Sequence, residues 1–271
     1  MNKTKEIYGF LWSSDKTTSP LLDCHYKKMK EVISDKIVKG MLGIEIGSGS
    51  GLDTFAMANE NPSTKIISLD ISDGVKNTKK LTQNLKNAFV VKASALNLPF
   101  KSNKFDFAYS FGVIHHTNNP PGCVKEIKRV VKQNALAFLY LYEDHSENLV
   151  KYYALKAITL LRRITVRIPA KILYIICWIF SPVVVIIFSY PAKILSKFQI
   201  TKNLSGKMPF NFGTTLFSLR GDLYDRFGAP IELRYSRSEA NELLKREGFL
   251  NINITRLKAT AGWVLWGKKI S

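Results

Sequence analysis

The chain has 271 residues, 46% of them hydrophobic, which excludes a disordered or fibrous protein and allows one large domain or two small ones. Forty Lys and Arg against twenty-one Asp and Glu give a net charge of +19, which calls for an anionic partner such as nucleic acid or an acidic membrane surface. Cys24, Cys123 and Cys177 form neither a disulfide framework nor a metal-binding spacing, and MNKTKEIYGF lacks the apolar centre of a signal peptide, so no metal and a reducing, cytoplasmic setting are expected.

Residues 1–40 read as an N-terminal helical cap. Within it, 26–40 (YKKMKEVISDKIVKG) is amphipathic and stopped by Gly40. The upstream aromatics Tyr8, Phe10 and Trp12 fit either a lid over a ligand or ordinary packing at a sheet edge. From Met41, β-rich runs alternate with helical patterns. Strands are expected at 41–46, 65–70, 88–93, 105–110 and 135–142, with helices notably at 73–87 and 120–131. That order implies an α/β fold with a doubly wound, mostly parallel sheet.

The end of the chain differs. A helix over 237–249 closes at Gly248, and two strands follow, FLNINITR and GWVLWGKK. A connection this short joins antiparallel strands only, so the sheet is expected to end in an antiparallel hairpin and to reach seven strands.

After the first strand comes EIGSGSG, Glu45 to Gly51. Three glycines at alternate positions let the backbone turn sharply and approach a ligand at a helix N-terminus. A dinucleotide fingerprint needs a glycine where Leu52 stands, and a P-loop needs a Gly-Lys-Ser/Thr ending that is absent. Glu45 precedes the first glycine by two residues, where a carboxylate can meet a cationic amine. Asp70 ends the second strand, where it can accept from a ribose diol. The implied ligand has an amine, a ribose and no pyrophosphate.

At these residues the chain resembles the class I S-adenosylmethionine-dependent methyltransferases, nearest the type-11 group that includes quinone-biosynthesis enzymes. The resemblance rests on EIGSGSG, LDIS (69–72), LNLPFKSNKFDFAYSFGVIHH (96–116) and VKEIKRVVK (124–132). It implies S-adenosyl-L-methionine as cofactor, with Glu45, Gly47, Ser48, Gly49 and Gly51 around its methionine part. Asp70 would take the ribose hydroxyls and Ile71 would lie against adenine. The usual adenine-amine acceptor falls at Ser94, which brings no negative charge, so Ala95 and the backbone of Leu96 take more weight; Ser110 completes the expected cofactor set. VKQNALAF stands where the family usually has Lys-Pro-Gly-Gly, a departure that touches a turn.

A ligand crevice in an open parallel sheet lies beyond the carboxyl ends of the strands. That places His115, His116, Tyr142, Glu143, Asp144 and His145 near methyl transfer. His115 and His116 are candidate bases, because histidine titrates in the useful range; they equally suit a role in shaping the loop.

Residues 172–190 (ILYIICWIFSPVVVIIFSY) carry no charge. Sheet strands precede and follow this run, so one membrane crossing would divide the domain. Pro182 at its middle predicts two short apolar helices dipping into one leaflet. In 149–166, Lys151, Lys156, Arg162 and Arg163 fall with Arg167 on one arc, as in an interfacial helix. Packing on the core or on a dimer partner is the other reading of this insertion.

The expected organisation is a cap (1–40), a cofactor-binding α/β core (41–145), a helical insertion (146–220), and a C-terminal helix and strands that complete the core (221–271). The expected function is methyl transfer to a hydrophobic small molecule or lipid at the cytoplasmic face of an anionic membrane, peripheral or monotopic, without nucleic acid. The alternatives are a soluble small-metabolite or sugar methyltransferase whose insertion makes a homodimer, and a non-catalytic cofactor-binding partner attached to a membrane.

Overall fold

The protein is described by a computed structural model, which covers residues 2–14, 25–33, 36, 40–210, 216–256 and 262–270. It divides into two compact units, one made of Met1–Glu143 with Ile231–Ser271 and the other of Asp144–Pro230.

The first unit is built on seven strands: β1 (Leu42–Ile46), β2 (Lys65–Asp70), β3 (Ala88–Lys92), β4 (Phe105–Phe111), β5 (Val131–Tyr142), β6 (Phe249–Arg256) and β7 (Gly262–Lys269). Their spatial order is β3-β2-β1-β4-β5-β7-β6. The β1–β2, β1–β4, β2–β3 and β4–β5 pairs are parallel, and β7 runs antiparallel to both β5 and β6. The expected mostly parallel sheet with an antiparallel end is what forms.

Around it lie α1 (Asn2–Ser14), α2 (His25–Ile33), α3 (Leu52–Glu60), α4 (Val75–Leu81) and α5 (Pro120–Val130). Local chemistry sets their ends. The Asn119 side chain accepts from the Gly122 amide at 3.0 Å, and Pro120 and Pro121 occupy positions where no helical N–H is needed. The helix expected over 73–87 stops at Leu81 because the Thr82 hydroxyl turns back onto the Thr78 carbonyl at 2.8 Å. The helix expected over 26–40 is described as far as Ile33; Cys24 and most of 34–39 lie outside the described residues.

Both faces of the sheet are covered. Alternation along β4 and β5 sends Ala108, Ala137, Leu139 and Leu141 to one core and Phe107, Tyr109, Phe138 and Tyr140 to the other. The first core is mostly aliphatic, and the second is richer in aromatic residues. Central strands buried on both sides read as near-continuous apolar runs, as these two do.

The second unit is helical: α6 (Leu149–Thr165), α7 (Ala170–Val184), α8 (Tyr190–Leu195), α9 (Lys202–Lys207) and α10 (Leu216–Gly228). A single π turn, Val185–Ser189, joins α7 to α8, so Ala170–Leu195 is one continuous helix of 26 residues. Two short helices were expected here, and Pro182 does not separate them. The Trp178 carbonyl, four residues before Pro182, accepts the Ser181 hydroxyl at 3.0 Å and so regains a partner. The wide turn that follows gives the chain a second way to absorb the ring. A second expectation fails at Arg162, which points inward, is 7% exposed, and donates to the Arg226 carbonyl at 2.7 Å. The last helix, α11 (Arg237–Arg246), belongs to the first unit. It opens with a reciprocal cap between Ser236 and Glu239.

Candidate functional site

The site begins where β1 runs into α3. The amides of Gly47 and Ser48 donate to the Leu69 carbonyl at 2.7 and 2.9 Å, which ties the loop to the end of β2. Two glycines there are obligatory. Gly47 has φ +87°, and a Cβ on it would strike Val113 at 2.1 Å; Gly51 has φ +89°, and a Cβ would meet the Thr78 Cα at 2.6 Å. Ser48 is buried and accepts from the Thr78 hydroxyl at 3.0 Å.

Asp70 closes the other side. One carboxylate oxygen accepts from the Gly49 amide at 2.9 Å and the other from the Ser72 amide at 2.7 Å. A carboxylate offers about four acceptor positions, so two bonds to the backbone fix its orientation and leave capacity for a diol. Ile71 beside it is half-buried.

Glu45 sits deeper than its place in the motif suggests. Strand alternation turns it away from the aliphatic core formed by Ile44 and Ile46 and toward α3. There its Oε2 accepts from the hydroxyls of Ser68, at 2.6 Å, and Thr54. Burial, reinforced by the charge of Asp53, raises its pKa to about 8. The carboxylate therefore lies beneath the loop, in a pocket of hydroxyls.

Two other expected residues also spend their side chains locally. The Ser94 hydroxyl accepts from the Leu96 amide at 3.2 Å, so one of the two backbone groups expected to read adenine is engaged by the turn itself. Ala95 is half-buried next to it. Ser110 is buried and donates to the Ile46 carbonyl at 2.9 Å, across the β1–β4 pair.

The aromatic residues of α1 stand over this loop. A Cβ on Gly49 would lie 3.2 Å from the Trp12 indole, and the Asn77 side chain donates to the Trp12 carbonyl. Tyr8 stacks on Trp12 at 6.3 Å and leans on His116 at 5.1 Å. Tyr8 and Trp12 thus pack against the glycine loop and His116. Phe10 instead lines a cleft between α1 and the turn after β2, together with Lys5, Gly9, Asp73, Lys76 and Asn77.

Beyond the strand ends, a short 3-10 turn carries Ile114–His116. His115 is fully buried, with its ring 4.1 Å from Tyr142 and 4.3 Å from His116. Neither of its ring nitrogens has a hydrogen-bond partner among the described residues. Burial, with help from His116 and Arg234, pushes its pKa well below the usual histidine value. His116 bonds through Nδ1 to the Ile231 carbonyl at 2.8 Å. A carbonyl only accepts, so Nδ1 carries a proton in this bond. Asp144 and His145 fall in the second unit.

Sequence reading passed over the return segment 231–235. It crosses the strand ends through Leu233 N to His115 O and Tyr235 N to Tyr142 O, both at 2.9 Å. Glu232 and Arg234, two apart on extended backbone, share a side and form a buried ion pair at 2.6 Å. The Arg234 guanidinium lies 5.0 Å from the Tyr142 ring and donates to the Glu143 carbonyl at 3.1 Å. Glu143 in turn binds Arg256 at 2.7 Å. The only advance signal was the Glu-Leu-Arg spacing after Pro230, which places both charges on one face if the segment is extended.

Residues 44–139 match the family model described as a methyltransferase domain. The chain is 34% identical over 106 residues to the tRNA (carboxymethyluridine(34)-5-O)-methyltransferase of Saccharomyces cerevisiae, an alignment covering 38% of this chain and 36% of that one. It is 32% identical over 110 residues to the demethylmenaquinone methyltransferase of Staphylococcus carnosus, covering 38% and 44%. The chain thus spans less than half the length of each of these two relatives. Among solved structures, a SAM-dependent methyltransferase from Aquifex aeolicus superposes with a TM-score of 0.53 at 13% identity, over 97% of this chain and 98% of that one, a likeness of fold.

Proposed function

We propose that this chain, whose residues 44–139 match a methyltransferase-domain family, is a class I, type-11 S-adenosylmethionine-dependent methyltransferase that transfers a methyl group to a hydrophobic small molecule or lipid at a membrane surface. The observation that carries the catalytic half is the pairing of Asp70 with a glycine loop whose amides it holds in place. The loop fits the cofactor: Gly47 and Gly51 hold positive-φ turns that favour glycine, and Asp70 keeps acceptor capacity beyond its two backbone bonds.

When bound, S-adenosyl-L-methionine supplies a methyl group already activated on a sulfonium. The protein's own contribution is alignment. The backbone of Gly47, Ser48, Gly49 and Gly51 cradles the amino-acid end, and Asp70 orients the ribose. Ile71, Ser94 and Ala95 border adenine. Glu45 and Ser110 brace β1 and β4 beneath the loop, and Glu45 supplies negative potential from below when ionised. Trp12 and Tyr8 exclude water from above. His116, its ring oriented by the Ile231 carbonyl, is the candidate base where the acceptor is a hydroxyl or an acidic carbon. His115, kept neutral by burial, supports that ring.

The apolar acceptor is supported by the exposed apolar surface of the second unit and by a relative that acts on demethylmenaquinone. A tRNA acceptor is the competing reading, favoured by the yeast relative and by the net charge of +19. Much of that charge lies within the apolar second unit, which sides with lipid.

Calorimetric titration with S-adenosyl-L-methionine tests the catalytic half. Asp70→Ala is expected to weaken binding by about 100-fold, the loss of hydrogen bonds to a charged acceptor, whereas equal affinity would remove the assignment. Transfer of labelled methyl from the cofactor to a lipid extract rather than to bulk tRNA is the expected outcome of an acceptor screen; label in tRNA alone reverses the choice.

A further inference from the structure

Among the described residues, twenty-three large hydrophobic side chains are exposed, and nineteen of them lie between Leu149 and Leu204. Within the helix Ala170–Leu195 the usual polarity is inverted. The covered side is made largely of small residues: Ala170, Cys177, Ser181, Ser189 and Ala192. The exposed side carries Ile172, Ile175, Ile179, Val183, Ile186 and Tyr190, recurring every three or four residues. α10 packs on this helix, so its inner face is already occupied and the apolar face is the outer one.

We propose that this helix lies flat in a bilayer surface, with its isoleucine face in the acyl boundary and Lys171, Lys193 and Lys197 on anionic lipid headgroups. The inference deepens the membrane part of the proposed function and rests on that reading, but it stands on the second unit alone. Three observations select this occupant and this orientation.

The first is charge. Residues 148–210 contain ten Lys and Arg and no Asp or Glu. A second copy of the same face would meet it with like charge, whereas an acidic lipid surface complements it. The second is Arg220. Its guanidinium lies 5.8 Å from the Trp178 ring and 5.9 Å from that of Tyr174. Were the helix to span, which its length of about 39 Å would allow, that charge would be carried into the hydrocarbon. Lying in the plane keeps Arg220 on the protein side. The third is the π turn with the Ser181–Trp178 bond, which absorb Pro182 and keep the apolar stripe continuous through a helix that would otherwise break.

The test uses the full chain in flotation with phosphatidylcholine vesicles and with vesicles that also contain phosphatidylglycerol. The wild type is expected to float with the anionic vesicles. Ile175→Ser, Ile179→Ser and Ile186→Ser together should lower partitioning at least about 10-fold, because each removes apolar burial in lipid. Lys171→Gln, Lys193→Gln and Lys197→Gln together should abolish the preference for phosphatidylglycerol, again about 10-fold or more. Trp178 fluorescence should shift to the blue on anionic vesicles, and that shift should be absent in Trp178→Phe. A wild type that floats with neither composition overturns the inference, as does flotation untouched by the serine changes. A dimer in sedimentation that the serine variant dissolves would assign the face to a second copy instead. Cofactor titration of the wild type separates the two proposals: a wild type that binds cofactor but floats with neither composition sinks this one alone, and one that floats with anionic vesicles without binding cofactor sinks the enzymatic one alone.

Discussion

Tyr109 in β4 and Trp178 in α7 are both large aromatics near the middle of their units, yet one is almost wholly buried and the other 55% exposed. In the sheet unit, apolar side chains point inward to two cores, and the surface is polar. In the helix Ala170–Leu195 of the helical unit the covered side is made largely of small residues and the exposed side of large apolar ones. Leu155, Leu219, Leu223 and Tyr224 elsewhere in that unit are buried. A single rule, that apolar surface leaves water where it can, produces both arrangements if, as proposed above, the helical unit meets a second, apolar solvent. The comparison therefore says more about environment than either unit does alone.

The sharpest way to break the comparison is to place the same charge in both regions. Leu139→Asp puts an unpaired carboxylate in the aliphatic core, where Leu139 is fully buried. It should cost more than about 4 kcal/mol and leave little folded protein in thermal denaturation. Ile179→Asp, on the exposed stripe, should leave the melting temperature in detergent-free buffer nearly unchanged, within about 0.5 kcal/mol, while abolishing flotation. Equal destabilisation by the two changes would mean that Ile179 is packed against protein.

A smaller effect separates two adjacent arginines. Arg162 donates to the Arg226 carbonyl inside the unit, while Arg163 is exposed. Arg162→Gln should destabilise by about 1–2 kcal/mol in denaturant titration, with vesicle affinity following only as folding fails. Arg163→Gln should leave stability alone and weaken anionic-vesicle binding by about 1 kcal/mol. If the two behave alike, the inward turn of Arg162 is wrong.

A pH-dependent effect belongs to Glu45. Its folded pKa of about 8 lies above its ordinary value of 4.5, so the native state holds a proton that the unfolded chain releases. Stability is then highest below about pH 4.5, falls as pH rises toward 8, and levels beyond it. The cationic cofactor reverses the preference, so its affinity should rise across the same window with release of a proton. Glu45→Gln should flatten both profiles, and a titration in buffers of different ionisation enthalpy measures the proton directly. An unchanged slope in the variant would place the responsible group elsewhere.

Much of the sheet was legible because its signals are local. β2 begins and ends where its apolar run does, and the hairpin of β6 and β7 follows from a connection too short for a parallel crossover. The glycine loop was legible for the same reason, since alternate glycines leave few backbone paths. What escaped needed a third dimension. Pro182 reads as a breaker until the Ser181 hydroxyl is seen on the Trp178 carbonyl. Arg162 reads as one of a basic arc until Arg226 supplies a carbonyl. The Glu232–Arg234 pair needed its segment to be extended across β4 and β5, which only the tertiary fold decides. The depth of Glu45 was half legible: strand alternation opposes it to Ile44 and Ile46, but Thr54 and Ser68 had to come from elsewhere to receive it.

Glu143, the last residue of the sheet unit before the helices, pairs with Tyr235 just after the chain comes back. Departure and re-entry are thus stitched side by side, and a short bridge of a few residues would close the gap. Everything between them is a cassette on one doorway, and trimming it away should leave a soluble domain that still grips its cofactor. Such a layout lets descendants of one catalyst trade the place where they work without rebuilding the machinery.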